Sequence, residues 1–187
     1  MCTDCDRWTR RDWLKATLAG AASLSIARLA VADDLAADAE RTLELYNTHT
    51  REAASVVYRR GPDYDAVALA TLRNLLRDHR NGQAHDIDPG VYDQLHDLAR
   101  AAGRDARYEI ISAYRSPESN AKLASASDGV SKKSLHMEGR AIDVRLKNYS
   151  TEALRDLALA AKKGGVGYYQ RSDFVHVDTG RFRTWVG

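Results

Sequence analysis

Two histidines and one aspartate have the chemistry and spacing of a divalent-metal site. His136 and Asp143 lie together in the segment SLHMEGRAID, and His176 lies in the later segment FVHVD. Gly139 allows the chain to turn, so that His136 and Asp143 can face one point. Two imidazoles and a carboxylate suit Zn²⁺ as a three-ligand set that leaves a fourth position for water. The pattern therefore predicts a catalytic zinc site rather than a structural one.

The segments around these residues predict an α+β fold. Short or alternating apolar runs predict strands at 42–48, 53–58, 108–113, 140–146, 166–169 and 174–177. Helical spacing and capping residues predict helices at 63–80, 88–102, 117–123 and 151–163. Because helices and strands alternate irregularly, with frequent hairpins, we expect a mainly antiparallel central sheet with flanking helices. His136 would then lie on a loop, and Asp143 and His176 on strands.

The first 32 residues have the order of an export signal. The segment TRRDWLK at 9–15 resembles the twin-arginine motif, and it is followed by a weakly apolar run at 16–27 and by AVA at 30–32. The apolar run is shorter than the about 20 residues that cross a membrane. We therefore predict a twin-arginine signal peptide at 1–32, a single domain at 33–187, and no stable membrane span after processing.

The charge of the chain argues against nucleic-acid binding. Five of the 28 basic and three of the 26 acidic residues lie at 1–32, which leaves the remainder without net charge. A neutral domain has no electrostatic attraction for nucleic acid, so we expect no such partner. Cys2 and Cys5 also lie in this segment, and two cysteines are too few for a four-thiolate zinc site.

Several motifs, in their order along the chain, resemble one group of peptidases. The pattern S-x-H-x-x-G-x-A-x-D at 134–143, followed by His176, resembles the zinc signature of the lysostaphin, D-Ala-D-Ala peptidase and hedgehog-domain group. Within that group, SAYRSP at 112–117, GGVGYY at 164–169 and FVHVDTG at 174–180 resemble the murein endopeptidase K branch. The similarity extends over most of the predicted domain.

The resemblance implies a zinc peptidase domain at 33–187 with the hedgehog or D-Ala-D-Ala-peptidase type of α+β fold. It implies one Zn²⁺ per chain, bound by His136, Asp143 and His176. The substrate would be the peptide cross-links of murein, with peptidoglycan stem peptides as partners. Such an enzyme would act in the periplasm or cell envelope after twin-arginine export, and we expect it to be a monomer.

Three further residues are candidates for catalytic roles. Arg115 matches the position at which the family has an oxyanion-stabilising arginine or comparable donor. In related D-Ala-D-Ala peptidases a glutamate three residues before the last histidine is the general base, and Asp173 stands there, one methylene shorter. Asp178 shares a strand face with His176, so it is either the base or the carboxylate that orients the imidazole.

Other functions remain compatible with the sequence. A carboxypeptidase that trims terminal D-Ala would use the same metal ligands. A non-catalytic, zinc-containing wall-binding module, as among the hedgehog-type relatives, would be favoured by apolar residues at the positions that hold Arg115 and Asp173. A zinc peptidase acting on a small signalling peptide is a third alternative.

Overall fold

The computed structural model describes residues 40–126 and 131–187, so the predicted signal peptide at 1–32 lies outside the described residues. Residues Arg41–Gly187 form one compact unit. Its strands are β1 (Glu40–Asn47), β2 (Ala53–Arg60), β3 (Asp63–Tyr64), β4 (Arg107–Ser112), β5 (Ala141–Leu146), β6 (Gly165–Tyr169), β7 (Phe174–Asp178) and β8 (Arg183–Val186). Its helices are α1 (Ala66–Leu75), α2 (Pro89–Ala101), α3 (Pro117–Ala126), α4 (Thr151–Ala161) and a 3-10 helix at Leu135–Glu138. Within the described ranges, no helix has the length and apolar character needed to cross a membrane.

The strands form one mixed sheet in the order β3-β2-β1-β4-β5-β7-β6-β8. Strands β4, β5, β7 and β6 pair antiparallel in succession, whereas β1–β4 and β6–β8 are parallel pairs. The α+β prediction is confirmed, but the sheet is mixed rather than mainly antiparallel. Parallel pairs join strands that are far apart in the chain, so local sequence patterns do not reveal them. Strands β3 and β8 were also not predicted.

The core lies between the sheet and the helices, and the helices α2 and α4 pack on its central strands. Both helices contact β5, and α4 also contacts β6 and β7. The core-facing residues of β5 and β7 include Ile142, Val144, Val175 and Val177, which are all buried. Because side chains alternate along a strand, Asp143 and His176 face the opposite side of the sheet. Apolar packing on one face therefore fixes the strands that carry the site on the other.

Two helices end earlier than the sequence predicts. Helix α1 ends at Leu75 instead of Arg80, because the chain then folds into a loop around the buried Asp78. Within this loop Gly82 N donates to the Asp78 carbonyl, and Asp78 N donates to that of Gln83, both at 2.8 Å. Helix α4 ends at Ala161, since the next residue adopts the left-handed conformation that terminates helices.

Candidate active site

The three predicted metal ligands converge on one side of the sheet, and all three are buried. His176 Nδ1 lies 2.8 Å from Asp143 Oδ1 and 3.2 Å from His136 Nε2. The third side of this triangle, from His136 Nε2 to Asp143 Oδ1, is 3.4 Å. In a tetrahedral zinc site with bonds of about 2.1 Å, neighbouring ligand atoms are about 3.4 Å apart. The donor types and their separations therefore fit a zinc ion.

Strand register aligns the site in one row across the sheet. Asp143 on β5 lies opposite His176 on β7 and, on its other side, opposite Ser112 on β4. The row continues through Gly167 on β6 to Trp185 on β8. A Cβ atom at Gly167 would lie 2.5 Å from the Trp185 ring. The absence of a side chain there lets the indole reach His176, with 5.0 Å between ring centroids.

His136 is held by the 3-10 helix instead of the predicted loop. Ser134 Oγ caps this helix by accepting a hydrogen bond from His136 N at 3.3 Å. Gly139 ends the helix in the left-handed conformation, with φ of 64°. A Cβ atom there would lie 2.1 Å from the carbonyl oxygen of Asp86. Glycine is therefore required both for the turn and for the close approach that places His136 beside Asp143.

In both histidines, the ring nitrogen that does not face Asp143 lies within hydrogen-bond distance of an oxygen. His136 Nδ1 lies 2.6 Å from the carbonyl oxygen of Ala113, and His176 Nε2 lies 3.1 Å from Asp178 Oδ2. Metal-binding histidines usually have such a partner, which sets the tautomer and the orientation of the ring. The contacts leave His136 Nε2 and His176 Nδ1 directed at Asp143. This arrangement could hold a metal ion, with hydrogen bonds that support its ligands.

The electrostatics of the cluster favour a bound cation. Burial alone would raise the pKa of Asp143, but the charges and hydrogen bonds of His136 and His176 lower it below its ordinary value. Burial alone would lower the pKa of His176, but its hydrogen bonds to Asp143 and Asp178 raise it. Because a metal ion binds the deprotonated forms of these groups, metal affinity should fall in acid.

Asp178 is fully buried, and both of its carboxylate oxygens accept hydrogen bonds. Besides His176, the donors are the backbone N–H groups of Gly165 and Gly180, at 2.9 and 2.8 Å, and two nitrogens of Arg183, at 2.6 and 3.1 Å. Burial alone would raise the pKa of Asp178, but these donors lower it far below its ordinary value. The carboxylate therefore has little capacity to accept a proton.

Asp173 is not brought to the metal ligands. It precedes β7 with a left-handed φ of 52°. Thr151 Oγ1 donates to its carboxylate at 2.6 Å, and Arg145 Nε lies 3.5 Å from it. The side chain is 65% exposed and does not line the cavity described next. The two candidate bases thus occupy different environments on either side of His176.

A cavity of about 600 Å³ opens at the cluster. Its cationic lining residues are Arg80, Arg115, Lys133 and Arg183, and Asp143 is the only carboxylate among the described lining residues. Arg115 Nη1 donates to Asn120 Oδ1 at 3.3 Å, while its Nε is buried without a hydrogen-bond partner in the described part of the chain. Of these cations, the sequence predicts a role only for Arg115, because no sequence motif assigns one to the other three.

Residues 35–185 match the family described as peptidoglycan L,D-endopeptidase MepK. The chain belongs to this family. MepK of Escherichia coli strain K12 is 41% identical over 145 residues, which are 78% of this chain and 80% of that protein. The probable MepK of Haemophilus influenzae is 36% identical over 180 residues, which are 95% and 96% of the two chains. No solved structure matches the chain.

Membership in the MepK family confirms the predicted resemblance to the murein endopeptidase K branch. The family is one of peptidoglycan endopeptidases, so the prediction of a peptidase that acts on murein is also confirmed. The matched range includes His136, Asp143 and His176, the residues that line the cavity, and Arg115. The site described above therefore lies within the part of the chain that matches the MepK family rather than in an added segment.

Proposed function

We propose that this protein is a zinc-dependent endopeptidase that hydrolyses L,D amide bonds in the peptide cross-links of peptidoglycan. The observation that carries the proposal is the triangle of His136 Nε2, Asp143 Oδ1 and His176 Nδ1 beside an open cavity, in a chain of the MepK family. Its partners are peptidoglycan stem peptides, and it acts on them in the periplasm or cell envelope. The segment TRRDWLK at 9–15 supports delivery by the twin-arginine route.

His136, Asp143 and His176 would hold the zinc ion. When bound there, zinc supplies Lewis-acid chemistry, which lowers the pKa of a water molecule and polarises a carbonyl group. The Ala113 carbonyl keeps the proton of His136 on Nδ1, and Asp178 keeps that of His176 on Nε2. The two nitrogens that face Asp143 then keep their lone pairs for the metal.

Arg115 suits stabilisation of the negative charge that develops on the carbonyl oxygen during hydrolysis. Its side chain lines the cavity together with His136 and Asp143, and its unpaired Nε is a donor that a substrate could satisfy. Its backbone N–H donates to the His136 carbonyl at 3.1 Å, which fixes its position relative to the ligands. A preorganised donor of this kind is worth about 2.7–4 kcal/mol in barrier height.

Asp173 is the general base in this proposal, and Asp178 is a positioning residue. Asp178 is saturated by donors, whereas Asp173 is mostly exposed and lies three residues before His176. Its neighbour Phe174 lines the cavity. This role requires the Asp173 side chain to turn from Thr151 toward the substrate, as catalytic hydrogen bonds often form only in the substrate complex.

A muropeptide digest with metal analysis tests the proposal. The zinc-loaded protein should convert L,D-linked dimers to monomers and leave terminal D-Ala in place. His136→Ala and Asp143→Ala should lose bound zinc and hydrolysis together. Release of D-Ala without loss of dimers would instead indicate the carboxypeptidase, and zinc binding without any hydrolysis would indicate the wall-binding module. Full activity in either variant would contradict the metal mechanism.

A further inference from the structure

The loop between α1 and α2 presents a second guanidinium group to the active-site cavity. Arg80 lines this cavity together with Arg115. Its ion pair with Asp78 is long, at 3.6 Å between Nη1 and Oδ1. The metal-binding mechanism gives Arg80 no role, so its place in the cavity wall calls for another explanation.

Hydrogen bonds hold this loop against the segment that bears Arg115. The carboxylate of Asp78 accepts from Ser116 N at 2.9 Å and from Arg80 N at 3.0 Å. Asn81 Nδ2 donates to Ser116 Oγ at 2.8 Å. Because Ser116 directly follows Arg115, these bonds tie the two arginines to one wall of the cavity. The backbone position of Arg80 beside the Arg115 segment is therefore built into the fold.

The same wall has donors without acceptors. Arg115 Nε and Ser112 Oγ are buried, and neither has a hydrogen-bond partner in the part of the chain that the structure describes. Burial is the largest influence that lowers the pKa of Arg115, and the charge of Arg80 lowers it further, against the opposing effect of Asp143. Two cations that repel each other beside unpaired donors are stabilised when an anion binds between them.

We infer that Arg80 is the specificity-determining residue of a carboxylate subsite beside Arg115, which recognises a free carboxylate on the carbon attached to the scissile nitrogen. This inference rests on the proposed function. A cross-link between two diamino-diacid residues carries such a carboxylate next to the amide that is cut. A guanidinium group matches a carboxylate in a bidentate geometry, which a neutral carboxamide cannot reproduce.

Two synthetic L,D-linked peptide dimers test the subsite. They are identical except that the carbon attached to the scissile nitrogen bears a free carboxylate in one and a carboxamide in the other. The zinc-loaded wild-type protein should cleave the carboxylate dimer with a kcat/KM about 10- to 100-fold higher, as expected for a hydrogen-bonded charged group. Arg80→Ala should lose this advantage by cleaving the carboxylate dimer more slowly, with little change on the carboxamide dimer.

The control variant is Arg104→Ala, because Arg104 is exposed and does not line the cavity. It should behave as wild type on both dimers. Arg80→Ala should also bind zinc and unfold thermally as the wild type does. Two results would overturn the inference but not the proposed function. One is an equal loss of kcat/KM on both dimers in Arg80→Ala, and the other is a wild-type protein that does not distinguish the dimers. A wild-type protein that cleaves neither dimer would overturn the proposed function and the inference with it.

Discussion

The imidazole of His176 and the carboxylate of Asp178 lie 3.1 Å apart, from Nε2 to Oδ2, on the same face of β7. Arg183 and two backbone N–H groups hold that carboxylate in place. The contact keeps a proton on Nε2 of His176 and turns Nδ1 toward Asp143 and His136. A carboxylate outside the proposed ligand set would thus decide which nitrogen of His176 can bind a metal ion.

Replacing Asp178 by asparagine should therefore weaken zinc binding. We expect the zinc dissociation constant of Asp178→Asn to rise about 10- to 100-fold, because the amide no longer enforces the tautomer of His176. Competition with a chromophoric chelator measures this constant. Asp156→Asn, at an exposed position on α4, is the matched control. Unchanged zinc affinity in Asp178→Asn would contradict the positioning role.

Asp173→Asn should separate the general base from the metal ligands. We expect one bound zinc per chain but a kcat about 10²- to 10⁴-fold lower, since only proton transfer is removed. Steady-state kinetics on a cross-linked dimer, with metal analysis of the same sample, measures both. Thr151→Val removes only the hydrogen bond to Asp173 and should keep most of the activity. A wild-type kcat in Asp173→Asn would exclude it as the base.

Gly139→Ala should disturb both folding and metal binding. Its left-handed φ costs a non-glycine residue about 1–2 kcal/mol, and the new Cβ atom would also meet the Asp86 carbonyl oxygen at 2.1 Å. Gly103→Ala is a matched control, because Gly103 has a φ of 62° and a Cβ atom added there would meet no atom within 4 Å. Urea unfolding should show a larger loss of unfolding free energy for Gly139→Ala than for Gly103→Ala. Zinc affinity should weaken in Gly139→Ala alone. Equal losses would show that the Asp86 contact is unimportant.

The stability provided by Asp78 should depend on pH. Burial alone would raise the pKa of Asp78, but the hydrogen bonds it accepts, from Ser119 and from Ser116 and Arg80, lower it to about 2 from an ordinary value of 3.8. A carboxylate whose pKa is lower in the folded than in the unfolded protein stabilises the folded state at pH values above its unfolded-state pKa. This stabilisation is lost as the pH falls through its folded-state pKa. Asp78→Asn should cost about 2 kcal/mol at pH 7.

Urea unfolding of wild type and Asp78→Asn at several pH values measures this effect. The difference in unfolding free energy should stay constant from pH 7 to about 4 and shrink between about pH 4 and 2. A difference that does not change over this lower range would show that the charge of Asp78 does not stabilise the loop.

Much of the metal site could be predicted from the sequence because its information is local. His136, Gly139 and Asp143 lie within eight residues, and the turn between them needs only a glycine with a left-handed backbone. His176 stands in a short strand whose alternation separates polar from apolar side chains. The α+β class and most strands and helices follow from the same short-range patterns.

The sequence by itself thus determined the family resemblance and the class of chemistry, and it predicted the ligand set. Only the tertiary structure decided what surrounds the ligands. The left-handed backbone at Asp173 turns its carboxylate to Thr151, while strand alternation buries Asp178 behind His176. Arg80 and Trp185 reach the site through a loop and a parallel edge strand. These relationships depend on pairing between distant segments, whose closure entropy and register no local pattern encodes.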